Sequence, residues 1–317
     1  MPELSFVIPT RNRADYLPLV LDGFRRQSLD QALYEIVIVD DGSTDETPEL
    51  LASVEDLPLK VLRQGPSGIA AAKNLGVLAS RGAIIAFADD DDMPDRDLAA
   101  AHLLAHRRRP QQDAVILGYT KLSPEVAEKP VMRHVTEIGN RLFNYHTLRP
   151  GQELPYEYFW GGRSSCKRSL LIDRGLFDPR FTFGCEDVEL GYRLSQRGSV
   201  RVFYDPTAVS TMLRAFTFRG FCDRQTRQGR SQRMFARLHA TPEIRKYCDI
   251  PEGPQSWRQF GHRYRQYLRW TQKLDDIANT YRERGYEIDE NFEKVLHDAY
   301  SAVFALSRAK GLAWTGT

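Results

Sequence analysis

Short apolar runs alternate with helix-like patterns through the first 120 residues. The runs occupy residues 4–9, 35–41, 59–62, 83–88 and 113–118. Between them, Leu17, Val20, Leu21 and Phe24 recur at the spacing of one helix face, and residues 68–80 and 97–106 also have helical patterns. Strands that are apolar throughout and alternate with helices indicate a sheet covered on both faces. We therefore predict an α/β fold with a mostly parallel central sheet flanked by helices.

The pattern changes in the second half of the chain. Residues 119–165 carry polar and aromatic positions without a clear period, whereas residues 186–198 predict a helix with acids in its first turn and Gly198 at its C-cap. Residues 200–206 predict a strand, and helical spacing returns over 257–281 and from Phe292 onward. We expect an α/β domain over residues 1–212 and a helical extension over residues 213–317.

Charge and cysteine content narrow the possible partners and compartments. The net charge of +2 gives no case for nucleic acid binding by the whole chain, but residues 213–270 hold thirteen Lys or Arg against four Asp or Glu. Aromatic residues are interleaved with this basic stretch, so we expect peripheral contact with a membrane or an anionic acceptor; packing of a helical extension is the alternative. The four cysteines lack C-x-x-C spacing, and the N-terminus resembles no secretory leader. We expect a cytoplasmic protein, with peripheral contact at the inner membrane face.

Four consecutive aspartates, Asp89 to Asp92, follow the apolar run at 83–88. Ligands of parallel sheets bind at the carboxyl ends of the strands, and carboxylates this close need a counter-charge. Mg²⁺ or Mn²⁺, which prefer oxygen ligands and phosphorylated substrates, would supply it. A solvated acidic turn that caps the next helix is the alternative. A helical DDxxD site for a prenyl diphosphate would start at Asp91, but Pro94 and the preceding strand disfavour it.

Four segments resemble, in order and spacing, motifs of the family 2 glycosyltransferases. They are VIPTRNRADYLPLVLDGFRRQ, IVIVDDGSTDET, GIAAAKNLGVLASRGAIIAFADDDDMPD and FGCEDVELGYRLSQRG. The resemblance implies the GT-A fold, with a nucleotide-binding part over residues 1–120 and an acceptor-side part over 121–212. It also implies inverting transfer of a hexosyl or N-acetylhexosaminyl group from a nucleotide-diphosphate donor, with a UDP-sugar favoured. The acceptor hydroxyl would belong to a glycan, a lipid-linked or a small molecule, in glycan, polysaccharide or glycoconjugate synthesis.

The resemblance assigns most of the candidate residues to the nucleotide-sugar donor. These residues are Pro9, Thr10, Arg11, Asp40, Asp41, Gly68, Lys73, Asp89, Asp90, Gly161, Gly162, Arg227 and Arg230. Asp41 would accept a hydrogen bond from the base, and Asp91 with Asp89 would bind the metal. Simpler interpretations exist: a turn built by Asp40 and Ser43, a solvated Lys73, and a solvated helix face for the arginines.

Glu186 and Asp187 match the acidic pair whose aspartate is the catalytic base of the family. Inversion needs a carboxylate that deprotonates the acceptor hydroxyl as it attacks, and Glu186 could raise the pKa of Asp187 by repulsion. An ordinary acidic first turn of a helix is the alternative. Many relatives have a metal-binding histidine after the strand at 200–206; residues 208–213 have none, so Ser210, Thr211 or a water would replace it.

Two other function classes remain open from the sequence. One is a catalytically inactive nucleotide-sugar-binding protein, against which the presence of Glu186 and Asp187 counts. The other is a nucleotidyltransferase, which typically has a glycine-rich loop after its first strand; PTRNRADYL at this position contains no glycine. The pattern leaves the oligomeric state open.

Overall fold

The computed structural model describes residues 1–198 and 200–315. The chain divides into two units: Met1–Ser123 with Thr147–Arg214, and Pro124–His146 with the segment from Ala215 onward. All of residues 121–212 were predicted to belong to the α/β domain, whereas residues 124–146 pack with the helical unit. The functional division of the domains stays a prediction.

The first unit is built on one sheet. Its strands are β1 (Leu4–Thr10), β2 (Tyr34–Asp40), β3 (Leu59–Arg63), β4 (Ile84–Phe87), β5 (Asp92–Pro94), β6 (Ala114–Leu122), β7 (Glu153–Leu154), β8 (Ser164–Lys167) and β9 (Arg201–Met212). The described strands run in the order β3-β2-β1-β4-β8-β6-β9-β5, and β7 pairs with β9. The pairs among β1 to β4 are parallel, as is that of β6 with β9, whereas β8, β5 and β7 pair antiparallel with their neighbours. The parallel prediction therefore holds for β1 to β4, and the described sheet as a whole is mixed.

The helices lie on the faces of this sheet in the first unit and pack on one another in the second. In chain order they are α1 (Leu17–Arg25), α2 (Thr47–Ala52), α3 (Ile69–Ala79), α4 (Leu98–Arg108), α5 (Pro124–Ala127), α6 (Pro130–Arg133), α7 (Arg168–Arg174), α8 (Glu186–Ser195), α9 (Phe218–Leu238), α10 (Pro242–Tyr247), α11 (Glu252–Phe260), α12 (Tyr264–Glu283) and α13 (Glu290–Ala313). The helices α5, α6 and α9 to α13 belong to the second unit. The apolar face predicted for α1 is buried.

Three neighbouring parallel strands end at one edge of the sheet. Thr10 at the end of β1 pairs with Asp40 at the end of β2, and Val7 pairs with Phe87 at the end of β4. Because parallel strands direct their carboxyl ends to the same edge, the loops after β1, β2 and β4 come together. The acidic residues predicted at the ends of β2 and β4 are therefore neighbours.

The helical unit has an aromatic core between α9 and α13. The rings of Phe221 and Phe304 lie 4.7 Å apart edge to face, and Tyr300 and Phe304 stack. Phe218 and Phe221 are buried, so these aromatics of the basic stretch pack the unit rather than face a ligand. The helical pattern predicted over residues 257–281 is interrupted, because a 3-10 turn at Gly261–Arg263 separates α11 from α12.

Two further features concern the whole described chain. All four cysteines lie within it and are buried with free thiols. Over residues 1–198 and 200–315, no helix combines the length and the apolar character that crossing a bilayer requires.

Candidate functional site

The acidic run that follows β4 is buried rather than solvated. Asp90, Asp91 and Asp92 are each less than a tenth exposed, whereas Asp89 is more accessible. The run leads into the short strand β5, and Asp97 at the N-cap of α4 forms no side-chain cap. Both the solvated cap and the helical DDxxD interpretations are therefore wrong for this run. Burying several carboxylates costs free energy unless they are paired, so their counter-charges define the site.

Arg163 supplies one counter-charge by bridging two aspartates. Its Nη1 donates to Asp89 Oδ2 and its Nη2 to Asp92 Oδ2, each at 2.8 Å, while Nε donates to Thr120 Oγ1 at 2.7 Å. Burial raises the pKa of Asp92 to about 7, and the Arg163 charge opposes this shift. Arg163 was not among the predicted site residues, although it directly follows the predicted glycine pair Gly161 and Gly162.

Two more arginines neutralise the middle of the run. Arg13 Nε donates to Asp90 Oδ1 at 3.1 Å, and Arg214 Nε donates to Asp91 Oδ2. Burial raises the pKa of Asp90 to about 7, Asp91 adds to the rise, and Arg13 opposes it. Burial favours the neutral form of Arg214, but the Asp91 carboxylate outweighs this effect and raises the pKa of Arg214 above its ordinary value. Neither arginine was among the predicted site residues, although Arg13 lies in the first motif and Arg214 is the first basic residue of the basic stretch.

The acidic run also contains a donor set that suits a hard divalent cation. One carboxylate oxygen from each of Asp89, Asp91 and Asp92 lies within 4.8 Å of the other two. Asp92 Oδ1 is buried and accepts no hydrogen bond from any residue that the structure describes. Carboxylate oxygens are the ligands that Mg²⁺ and Mn²⁺ prefer, so the predicted pair Asp89 and Asp91 fits this role, and Asp92 extends it.

The two residues predicted to replace the missing histidine lie in different surroundings. Ser210 Oγ is 2.9 Å from Thr120 Oγ1 and donates to Asp92 Oδ2 at 3.5 Å, so it borders the acidic run. Thr211 Oγ1 donates to Asp95 Oδ1 at 2.8 Å instead. Of the two, Ser210 is nearer to the proposed ligands.

The predicted nucleoside loop lies between the ends of β1 and β2. Pro9 and the buried Thr10 end β1, and the exposed Arg11 follows. Asp40 is buried, and its Oδ1 accepts the backbone N–H of Ser43 at 2.8 Å. The turn interpretation therefore describes Asp40, while the contact of this loop with a nucleoside stays a prediction.

Asp41 holds the turn that leads into α3. Its carboxylate accepts hydrogen bonds from Gln64 Nε2 at 2.7 Å, from the Ser67 N–H at 2.8 Å and from the Gly68 N–H at 2.9 Å. Gly68 has a φ of +93°, and a Cβ there would overlap Thr182. A carboxylate has about four acceptor positions, so one remains for the predicted bond from a base.

Lys73 on α3 is buried, which excludes the solvated lysine that the sequence left open. Its Nζ donates to Glu186 Oε1 at 2.8 Å and lies 5.3 Å from the Phe177 ring centre. Burial favours the neutral amine, but the carboxylates of Glu186 and Asp187 outweigh it and raise the pKa of Lys73. Lys73 is therefore a charged partner of the predicted catalytic pair.

Asp187 is held by backbone N–H groups at the start of α8. Its Oδ2 accepts the Gly161 N–H at 2.9 Å and its Oδ1 the Val188 N–H at 2.8 Å. Burial raises the pKa of Asp187 to about 6, Glu186 acts in the same direction, and Lys73 opposes both. A carboxyl group with this pKa is mostly ionised at neutral pH and remains basic enough to accept a proton.

Residues 161–163 connect Asp187 to the acidic run. A Cβ on Gly161 would overlap Lys73 Nζ and crowd Asp187, and a Cβ on Gly162 would overlap the Asp89 carboxylate. Arg163 then binds Asp89 and Asp92. The glycine pair therefore permits close approach to carboxylates, and its predicted approach to a sugar is not tested.

Arg227 and Arg230 lie on α9 in the helical unit. The Arg230 guanidinium lies 4.6 Å from the Trp314 ring centre, and burial together with Arg230 lowers the pKa of Arg227. Their predicted contact with a diphosphate stays a prediction.

Comparison with known proteins identifies the family of this chain. The family described as Glycosyl transferase family 2 matches residues 5–175, which is just over half of the chain. The chain belongs to this family. The match covers β1 to β4, the acidic run and residues 161–163, and ends before Glu186 and Asp187. It confirms the resemblance inferred from the four motifs.

Similar proteins support the family and the fold. Validoxylamine A glucosyltransferase of Streptomyces hygroscopicus subsp. jinggangensis is 32% identical over 222 residues, which cover 62% of this chain and 52% of that protein. The chain therefore spans about half the length of this relative. The structure of S. aureus TarS 1-349 in complex with UDP has a TM-score of 0.55 at 17% identity, covering 98% of this chain and 90% of that one.

A second solved structure is closer in fold. Mannosyltransferase PcManGT from Pyrobaculum calidifontis, in complex with GDP-Man and Mn²⁺, has a TM-score of 0.62 at 18% identity, covering 99% of this chain and 87% of that one. These similarities and the mixed α/β architecture confirm the predicted GT-A fold class with a C-terminal helical region.

Proposed function

We propose that this protein is an inverting glycosyltransferase that moves a sugar from a nucleotide-diphosphate donor to an acceptor hydroxyl. The observation that carries the proposal is the segment 161–163, which joins a half-buried carboxylate at Asp187 to the acidic run at the end of β4. One side of this segment suits proton transfer, and the other suits a metal-bound diphosphate.

Asp187 is the proposed base. As the acceptor oxygen bonds to the anomeric carbon from behind, the bond between that carbon and the diphosphate oxygen breaks and its electron pair leaves with the phosphate. The acceptor proton moves to the Asp187 carboxylate. The N–H groups of Gly161 and Val188 orient this carboxylate, and Lys73 helps to keep it ionised.

Asp89, Asp91 and Asp92 are the proposed ligands of the divalent cation, Mn²⁺ or Mg²⁺. When bound, such a cation neutralises the negative charge that develops on the departing diphosphate. Arg163 and Arg214 already hold these carboxylates, so each can exchange a carboxylate for a phosphate oxygen. PcManGT in complex with GDP-Man and Mn²⁺ supports this assignment by analogy of fold.

The donor and acceptor are proposed by chemistry and by analogy. A UDP-sugar carrying a hexosyl or N-acetylhexosaminyl group is the favoured donor, because Asp41 keeps an acceptor position for a ring N–H and TarS binds UDP. A GDP-sugar is the competing donor. The proposed acceptor is a hydroxyl of a glycan, lipid-linked or small molecule, in glycan, polysaccharide or glycoconjugate synthesis.

The test combines donor binding with turnover. UDP-glucose, UDP-N-acetylglucosamine and GDP-mannose are titrated calorimetrically with and without Mn²⁺, and release of the nucleotide diphosphate is followed. We expect Asp187→Asn to bind the donor normally and to slow this release by about 10²–10⁴-fold, the usual contribution of a general base. The exposed Asp173→Asn is the matched control and should change neither quantity.

Two outcomes would contradict the proposal. Wild-type turnover in Asp187→Asn would remove Asp187 from the mechanism. Tight donor binding without release of the diphosphate, with or without added sugar acceptors, would instead identify a nucleotide-sugar-binding protein.

A further inference from the structure

The long helix α12 of the second unit has one buried face and one exposed row of apolar residues. Tyr264, Thr271, Asp275 and Ala278 are buried, and Tyr264 and Asp275 bond to Ser307 and Tyr300 of α13. A second row, which we call the outer stripe, consists of Tyr267, Trp270, Leu274, Ile277 and Tyr281. Trp270, Ile277 and Tyr281 are 48%, 43% and 45% exposed, so large apolar side chains face solvent along this row.

The outer stripe has the spacing of a coiled-coil seam. Its five residues follow one another at intervals of three, four, three and four, which is the heptad period of two helices that pack along their length. Helices that lie in a membrane surface usually have a broader apolar face and a polar face rich in Lys and Arg. The narrow outer stripe therefore favours another helix as its partner.

The charges beside the outer stripe indicate which kind of helix would be its partner. A flanking row is formed by the residues that directly precede the five stripe residues: Gln266, Arg269, Lys273, Asp276 and Thr280. Glu283, seven residues after Asp276, continues this row. This flank is basic in the N-terminal half of α12 and acidic in the C-terminal half. A helix with such a flank complements an identical helix that runs in the opposite direction.

We propose that the outer stripe binds the outer stripe of a second copy of this chain, with the two α12 helices antiparallel. A two-fold axis at Leu274 places Tyr267 level with Tyr281 of the second copy, and Trp270 within one residue, about 1.5 Å along the helix, of Ile277. It also places Lys273 beside Asp276 of the second copy, and the symmetric contact repeats the pair. This pairing is independent of the proposed enzymatic activity.

The size of the contact sets its strength. The stripe spans fifteen residues, from Tyr267 to Tyr281, which is about 21 Å of helix at about 1.5 Å per residue. Such a contact is at the low end of specific protein interfaces, which begin at about 1,200 Å² in total. We therefore expect a reversible dimer whose dissociation constant is in the micromolar range.

The test measures the mass of the full chain in solution by sedimentation velocity over a concentration series. Trp270→Gln should raise the dimer dissociation constant by at least about tenfold, as expected for a buried aromatic anchor. Val295→Gln, which replaces an exposed apolar residue of α13, is the matched control and should leave the constant unchanged. Circular dichroism checks that each variant is folded.

The direction of the helices is tested by charge exchange and by cross-linking. Lys273→Glu should weaken the dimer, and the double variant Lys273→Glu with Asp276→Lys should restore it. With oxidised glutathione as the oxidant, a mixture of Tyr267→Cys and Tyr281→Cys should form a disulfide between the two variants, whereas neither variant alone should form one; the native cysteines are buried.

Three outcomes would overturn the proposal. These are a monomer at every concentration, a dimer that Trp270→Gln leaves intact, and cross-links within each single-cysteine variant rather than between them. A monomer that binds phosphatidylglycerol vesicles through Trp270 would assign the outer stripe to a membrane instead.

Discussion

The ion pair of Lys73 and Glu186 offers the sharpest test of the site's electrostatics. Lys73 Nζ and Glu186 Oε1 are 2.8 Å apart, and the two side chains are only 2% and 4% exposed. At an effective dielectric constant of about 20, two unit charges at this distance attract by about 6 kcal/mol, and desolvation of both groups offsets much of it. Lys73→Met leaves Glu186 buried without its partner, so we expect a loss of about 3–5 kcal/mol in the free energy of unfolding.

A double-mutant cycle isolates the pair. The wild type, Lys73→Met, Glu186→Gln and the double variant are unfolded in urea at pH 7 and followed by circular dichroism. The loss in free energy of unfolding should be about 2–3 kcal/mol smaller in the double variant than the summed losses of the two single variants, because the second change removes a charge that the first left unpaired. Lys60→Met, at an exposed lysine that donates to the Ala79 carbonyl, is the control and should change stability by less than about 0.5 kcal/mol.

Two results would refute this reasoning. If the loss in free energy of unfolding of the double variant equals the sum of the two single losses within about 0.5 kcal/mol, the two side chains do not act as a pair. A Lys73→Met variant as stable as Lys60→Met would mean that Lys73 is solvated, as the sequence alone allowed.

Further predictions concern the base and the acidic run. Because Asp187 must be ionised to act and burial raises its pKa to about 6, release of the nucleotide diphosphate should fall as pH drops through about 6. Glu186→Gln should move this midpoint to lower pH, because the Glu186 carboxylate raises the pKa of Asp187; an unchanged midpoint in the rate profile would assign the titration to another group. Gly162→Ala should weaken Mn²⁺ binding by at least about tenfold in calorimetry, or about 1.4 kcal/mol, since its Cβ would displace the Asp89 carboxylate. Gly65→Ala, whose Cβ meets open space, should bind Mn²⁺ normally, and equal affinity in the two variants would contradict the metal assignment.

Local sequence patterns were sufficient for the elements around the candidate site. The four apolar residues of α1 and the apolar run of β2 correspond to buried faces because helix and strand periods are set by neighbouring residues. The sequence also predicted that the ends of β1, β2 and β4 lie close together, since parallel strands direct their carboxyl ends to one edge of the sheet. The resemblance to the family came from four motifs, three of which span the ends of these strands.

Tertiary structure alone decided which charges meet. Lys73 contacts a residue 113 positions later, Arg163 an aspartate 74 positions earlier, and Arg214 an aspartate 123 positions earlier. Contacts between residues so far apart in the sequence depend on strand order. Because β8 lies between β4 and β6, residues 161–163, which precede β8, are brought to the acidic run. Strand order cannot be read from a local period. The sequence therefore could not decide whether Lys73 is a donor-binding residue or a solvated side chain.

The same distinction applies to α12. Its sequence contains two rows with equally regular spacing, one at Tyr264, Thr271 and Ala278 and the other at Trp270 and Ile277. Periodicity measures only the angle between side chains on one helix, so it cannot tell which row packs inward. Contact with α13 buries the first row and leaves the second exposed, because a helix at the surface of a unit can turn only one face to the core.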